Sequence, residues 1–211
     1  MNEQPKQPQR WVVVLATSMD GRGAPPGIDR HAFALANLED TYEVAAGLNL
    51  VRATIACAPE HARLVAPMLW GDAEVVKSAV VREVLYELEA SGATEVALIS
   101  GDAPDLPGLS VGKLFRALGR ADIAVCPSLQ GASVALGVRI PLVEWLETVE
   151  LSLDDPGLLD TLSRHSPRRL AVATTPGWHR LCEQEAIALL DPGLEGWEAT
   201  RTLLAGGGQR Y

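Results

Sequence analysis

Thr94-Glu-Val-Ala-Leu-Ile-Ser100 runs directly into Gly101-Asp-Ala-Pro-Asp-Leu-Pro107. The first half is a short apolar run of strand length, the kind that lies buried on both faces in a parallel sheet. The second half is a proline-stiffened turn at the carboxyl end of that strand. Upstream, Val80, Val81, Val84, Leu85 and Leu88 form one helical stripe that Gly92 closes, and residues 109–118 read as a helix downstream. Helix, buried strand, loop and helix is the building unit of an α/β sheet.

Working outward, the same reading predicts further strands at 11–16, 50–57, 122–126, 133–138 and 170–174. Helices are predicted at 29–48, from Pro59, and at 142–148, 158–164, 178–185 and 196–204. The alternation implies a three-layer α/β/α arrangement around a mostly parallel sheet. Ligands of such sheets sit outside the carboxyl ends of the strands, which directs attention to the loops after Ala16, Ser100 and Pro127.

The chain has 211 residues, 47% of them hydrophobic and 21% charged, a globular composition that favours one domain, placed here at 11–205. Residues 1–10 are polar and read as a disordered leader, and 206–211 as a flexible tail. Neither a signal peptide nor a transmembrane run is present in the sequence, so the expectation is a cytoplasmic protein without a membrane partner. The net charge of −9, with scattered basic residues, gives no footprint for nucleic acid. A phosphate-bearing substrate would then need a metal ion or a local cluster of donors.

Cys57, Cys126 and Cys182 match neither a disulfide framework nor a zinc site and read as buried thiols. The four histidines have no metal-ligand spacing, and no serine sits in a G-x-S-x-G setting. Trp145, Trp178 and Trp197 read as packing anchors, with an acceptor pocket or a contact in a homodimer as the alternatives.

The candidate chemistry lies at Asp102 and Asp105. Carboxylates fixed in such a turn can take a hard cation, and Mg²⁺ prefers one or two of them together with waters and substrate phosphates. The alternative is that Asp102 opens a turn and Asp105 caps the next helix. In the loop Thr17-Ser-Met-Asp-Gly-Arg-Gly23, the backbone around Ser18, Gly21 and Gly23, with Arg22, could face a phosphate, or the loop could be a plain connector.

The segment Gly92-Ala-Thr-Glu-Val-Ala-Leu-Ile-Ser-Gly-Asp-Ala-Pro-Asp-Leu-Pro107 resembles the "V-V-L-I-G-S-D-x-P-D-L" region of the glycosyltransferase-like family DUF2064, related to guanylyltransferases of the molybdenum-cofactor and phospholactate types. Leu38-Glu-Asp-Thr41, Ala121-Asp-Ile-Ala-Val-Cys-Pro127 and Ser133-Val-Ala-Leu-Gly137 are similar to other parts of it in order, covering most of 11–161. The resemblance implies a GT-A-like nucleotide-diphospho-sugar transferase fold, a nucleotide-linked small-molecule donor, and Mg²⁺ or Mn²⁺ held by Asp102 with Asp105 nearby.

Three departures stand against that pattern. The family's basic first loop is reduced to Gly21-Arg-Gly23 and Arg30; its "D-L-G-E-R" becomes Val76-Lys-Ser-Ala-Val80; and its "D-G-G" becomes Gln130-Gly-Ala132, which makes Gln130 and Gly131 the substrate-facing candidates there. An amide at Gln130 supplies a neutral oxygen where a carboxylate would balance a cation. Three functions therefore remain open: metal-assisted transfer of a glycosyl or nucleotidyl group, a catalytically degenerate ligand-binding or regulatory protein on the same fold, and a guanylyltransferase acting on a phosphorylated small acid.

Overall fold

A computed structural model describes residues 9–16, 19–49 and 51–206. The expected leader (apart from Gln9 and Arg10), most of the expected tail, and Ser18 lie outside the described residues. The sheet has six strands: β1 (Arg10–Ala16), β2 (Arg52–Cys57), β3 (Glu95–Ser100), β4 (Ile123–Pro127), β5 (Ser133–Arg139) and β6 (Val172–Thr174), in the order β2-β1-β3-β5-β4-β6. All neighbours run parallel except β5, which is antiparallel to β3 and β4. The fold is thus the expected mostly parallel α/β sheet with helices on both faces.

Each strand serves two cores because its side chains alternate. Val12 and Val14 point toward α1 (Arg30–Ala46) and α4 (Gly108–Leu118), and α2 (Ala62–Val65) packs on the same face. Val13 and Leu15 face α3 (Val81–Ala90), α5 (Glu144–Glu147) and α6 (Leu158–His165). This two-sided burial explains why the strands read as continuous apolar runs. Asp29 caps α1 by accepting from the Ala32 N–H at 2.8 Å, and Gly92, at φ +86°, follows the end of α3 as that stripe predicts.

Helix α7 (Glu198–Ala205) has no side-chain cap of its own. Asp40 of α1 supplies one from across the fold, its two oxygens accepting from the Ala199 and Thr200 N–H groups at 2.9 and 2.7 Å. The predicted helix at 178–185 is absent. Trp178 forms an isolated parallel bridge with Ser128, residues 179–180 carry no regular structure, and only Gln184–Leu189 winds, as a 3₁₀ turn. Among the described residues no helix is long and apolar enough to cross a membrane.

Candidate functional site

The chain goes from β1 to β2 on one side and then crosses to β3 on the other, so the strand order reverses between β1 and β3. Crevices at such switch points are where open α/β sheets hold ligands. Gly101 carries β3 past this point: its N–H donates to Leu15 O at 3.0 Å, and a Cβ there would meet Leu38 Cδ1 at 2.9 Å. Asp102 follows immediately, with its side chain 22% exposed.

Its carboxylate is already engaged. Oδ1 accepts from Ser100 Oγ and from Arg180 Nε, both at 2.7 Å, and Oδ2 accepts from Arg180 Nη2 at 3.0 Å. Arg180 is 3% exposed. Its Nη2 also lies 2.7 Å from Asp154 Oδ1, and Nη1 donates to the Ser133 and Leu153 carbonyls at 3.3 Å. Burial alone would lower the guanidinium pKa, but Asp102 and Asp154 outweigh it and hold the group above its ordinary value.

Asp105 is closed off from solvent. Trp178 Nε1 donates to its Oδ1 at 3.0 Å, and His179 Nε2 stands 3.0 Å from the same oxygen without the alignment of a hydrogen bond. Oδ2 has no partner. Asp105 therefore does not cap α4, whose N-cap is Pro107; its acceptor is spent on the segment that carries Arg180. The His179 ring stacks on Trp178, with centroids 5.1 Å apart.

One strap makes all these contacts. Trp178 N–H donates to Pro127 O at 3.1 Å, Leu129 N–H to Trp178 O at 2.9 Å, and Leu181 N–H to Asp102 O at 2.7 Å. Residues 176–183 thus cross the carboxyl ends of β4 and β3 in turn and then pass the 19–23 loop. At the first crossing a Cβ on Gly177 would sit 2.8 Å from Pro127 O, and against the loop a Cβ on Gly23 would sit 2.1 Å from Leu181 O.

The strap also packs on the loop expected to face a phosphate. Gly23 is buried against the strap, and Gly21, at φ +54°, lies where a Cβ would meet Arg30 O at 2.0 Å. Arg22 is exposed and pairs with Asp20 at 2.9 Å. Gln130 Oε1 accepts from Ser128 Oγ at 2.5 Å and from the Arg180 N–H at 3.4 Å, and Gly131, at φ +93°, completes that turn. Gly23, Asp102, Asp105 and Gln130 are thus gathered around the strap, while Arg22 and Gly131 stay at the surface.

The sequence reading missed Arg180, Asp154 and Ser100 as members of this cluster. Beside it, Leu15, residues 79–82, Thr148 and residues 150–154, including Asp154, line a cleft of about 410 Å³. Two larger clefts lie away from it, one against the amino ends of β1 and β2 and one beside β6.

A divalent cation fits these residues poorly. Both Asp102 oxygens face a guanidinium, Asp105 is enclosed, and among the described residues no group of three or more His, Cys, Asp or Glu is arranged around a common point. Mg²⁺ requires near-octahedral oxygen ligands, several of them waters, and a bidentate arginine occupies the face they would need.

No family model matches the chain, and no curated protein does. Solved structures do. A protein from Desulfovibrio desulfuricans classed with the nucleotide-diphospho-sugar transferases aligns over 94% of this chain and 96% of its own, with a TM-score of 0.67 and 15% identity. The 4-diphosphocytidyl-2C-methyl-D-erythritol synthase of Anaerococcus prevotii aligns over 93% and 96%, with a TM-score of 0.60 and 13% identity. A Mycobacterium tuberculosis protein solved as a manganese complex aligns over 94% and 99%, with a TM-score of 0.51 and 18% identity. At these identities the likeness establishes the fold, that of the nucleotide-diphospho-sugar transferases and cytidylyltransferases.

Proposed function

We propose that the protein binds a nucleotide-linked small molecule in the cleft bounded by Leu15, Val80, Leu151 and Asp154, and acts on it by glycosyl or nucleotidyl transfer as a divergent relative of DUF2064. The observation that carries this reading is the position of Asp102, delivered by β3 to the carboxyl edge of the sheet beside the switch point. The cleft supports it: about 410 Å³ falls in the range of small-ligand sites, and its walls mix apolar Leu15, Val80 and Leu151 with hydrogen-bonding Arg82, Ser152 and Asp154. In such a reaction the protein's part is to hold donor and acceptor in line and to exclude water. Arg22 does not line this cleft, so it is the phosphate contact of this reading only for a ligand that reaches out to the loop after β1, where Arg22 would exchange Asp20 for it.

Mg²⁺ or Mn²⁺ at Asp102, expected from the resemblance, would meet a carboxylate already paired with Arg180 through both oxygens. A second reading, a protein that binds such a ligand without transferring from it, is favoured by the strap that closes over both aspartates.

Thermal unfolding of the full chain against nucleoside triphosphates and nucleotide sugars tests the proposal. A ligand at one hundred times its Kd stabilises by about 2.7 kcal/mol, so one class should raise the midpoint clearly. Ala79→Trp, a substitution at an exposed cleft wall, should erase the shift. No shift from any member would refute the reading. Release of nucleotide or pyrophosphate from the stabilising donor separates transfer from binding, and a GTP-specific shift would point to the guanylyltransferase alternative.

A further inference from the structure

We infer that Arg180 is the resident cation of this site, standing against Asp102 in place of the divalent metal that the sequence resemblance implies, so that the protein holds its ligand without a divalent cation. The part about the ligand rests on the function proposed above; the part about Arg180 does not.

Three features carry the inference. The guanidinium meets both oxygens of Asp102 in the parallel two-bond geometry that gives arginine–carboxylate pairs their specificity, with Nε to Oδ1 at 2.7 Å and Nη2 to Oδ2 at 3.0 Å. Every guanidinium nitrogen has an acceptor: Nη2 also faces Asp154 at 2.7 Å, and Nη1 faces the Ser133 and Leu153 carbonyls. Burial to 3% exposure makes departure costly, because a guanidinium cannot shed its charge and would have to find equal partners elsewhere.

The arrangement extends beyond one pair. Trp178 and His179, the two residues before Arg180, close the second aspartate, Asp105. A three-residue run therefore meets both carboxylates of the 101–107 turn, and the Leu181 N–H holds the backbone of Asp102 as well. Asp154 ties this cation to the wall of the cleft. Asp102 is on this account a positioning residue, which fixes Arg180 and through it the 153–154 wall.

Manganese binding to the full chain, followed by the electron paramagnetic resonance signal of free Mn²⁺, tests the assignment without any nucleotide. Wild-type protein and Asp102→Asn, which keeps an oxygen for Arg180, should give superimposable isotherms reflecting only weak surface binding. Arg180→Met should gain one site at least tenfold tighter than any in the wild type, lost again in Arg180→Met with Asp102→Asn. A stoichiometric wild-type site that Asp102→Asn weakens tenfold or more would overturn the inference, as would a folded Arg180→Met chain that gains none. Should Arg180→Met fail to fold, the wild-type and Asp102→Asn pair still decides. A stabilising nucleotide should act equally in EDTA and in Mg²⁺; a shift seen only with Mg²⁺ would also count against Arg180. A nucleotide panel that gives no shift at all removes the ligand reading alone.

Discussion

Arg180 has more contacts with distant parts of the chain than any other side chain at the site, and its loss should be felt in stability before it is felt in function. Arg180→Met leaves Asp102 and Asp154 without their counter-charge; both carboxylates are partly exposed and regain water, so the loss is that of charge-assisted hydrogen bonds, about 1.5–3 kcal/mol. For a chain of this size that lowers the thermal midpoint by roughly 3–12 °C, readable by calorimetry. A drop of a degree or less would mean that the pair is not held as described. Asp102 was legible in the sequence because an apolar strand ending in Gly-Asp-x-Pro marks its own loop. Its partner was not, since it lies 78 residues away in a run with no pattern of its own.

At the scale of elements, the strands and the longer helices were readable because two-sided burial and one-sided stripes leave plain periodicities. The strap at 176–183 was misread as the start of a helix. Trp178, Leu181 and Glu185 fall at helical spacing, but the backbone hydrogen bonds of the strap go to the ends of β3 and β4. A cue was present in Gly177: only a residue without a side chain can approach Pro127 O so closely. Helix α7 presents the same lesson, since its cap arrives from Asp40 and leaves no signature at 196–198. Asp40→Ala strands two N–H groups at the positive end of that helix and should cost about 1–2 kcal/mol. Burial, outweighing the bonds from Thr200 and Ala199, raises the Asp40 pKa, so the folded chain binds that proton more tightly than the unfolded one. The stability linked to this proton is present below the ordinary carboxylate pKa and lost as pH rises through the raised one. Urea unfolding of wild type and Asp40→Ala across the acid range should show that dependence flattened in the variant; parallel curves would contradict it.

For the molecule as a whole, the sheet order places the reversal point, the 101–107 turn and the cleft at one edge, while the chain's own strap spans part of that edge. The proposed function places a nucleotide-linked ligand on this sheet beside two aspartates that the chain itself engages through Arg180, Trp178 and His179. The overall charge of −9 sharpens this, because a phosphate-bearing ligand gains little from the surface at large. We propose residues 11–205 as one folding unit, since the strap and the Asp40 cap tie the last third of the chain to the first. The most direct test of the account is a crystal structure of the full chain soaked with Mn²⁺ and a mixture of nucleotides and nucleotide sugars. A nucleotide should lie between Leu15, Val80 and Asp154, with Arg180 still paired to Asp102 and no manganese there. A manganese ion on Asp102 with Arg180 displaced, or a nucleotide bound away from this edge of the sheet, would contradict it.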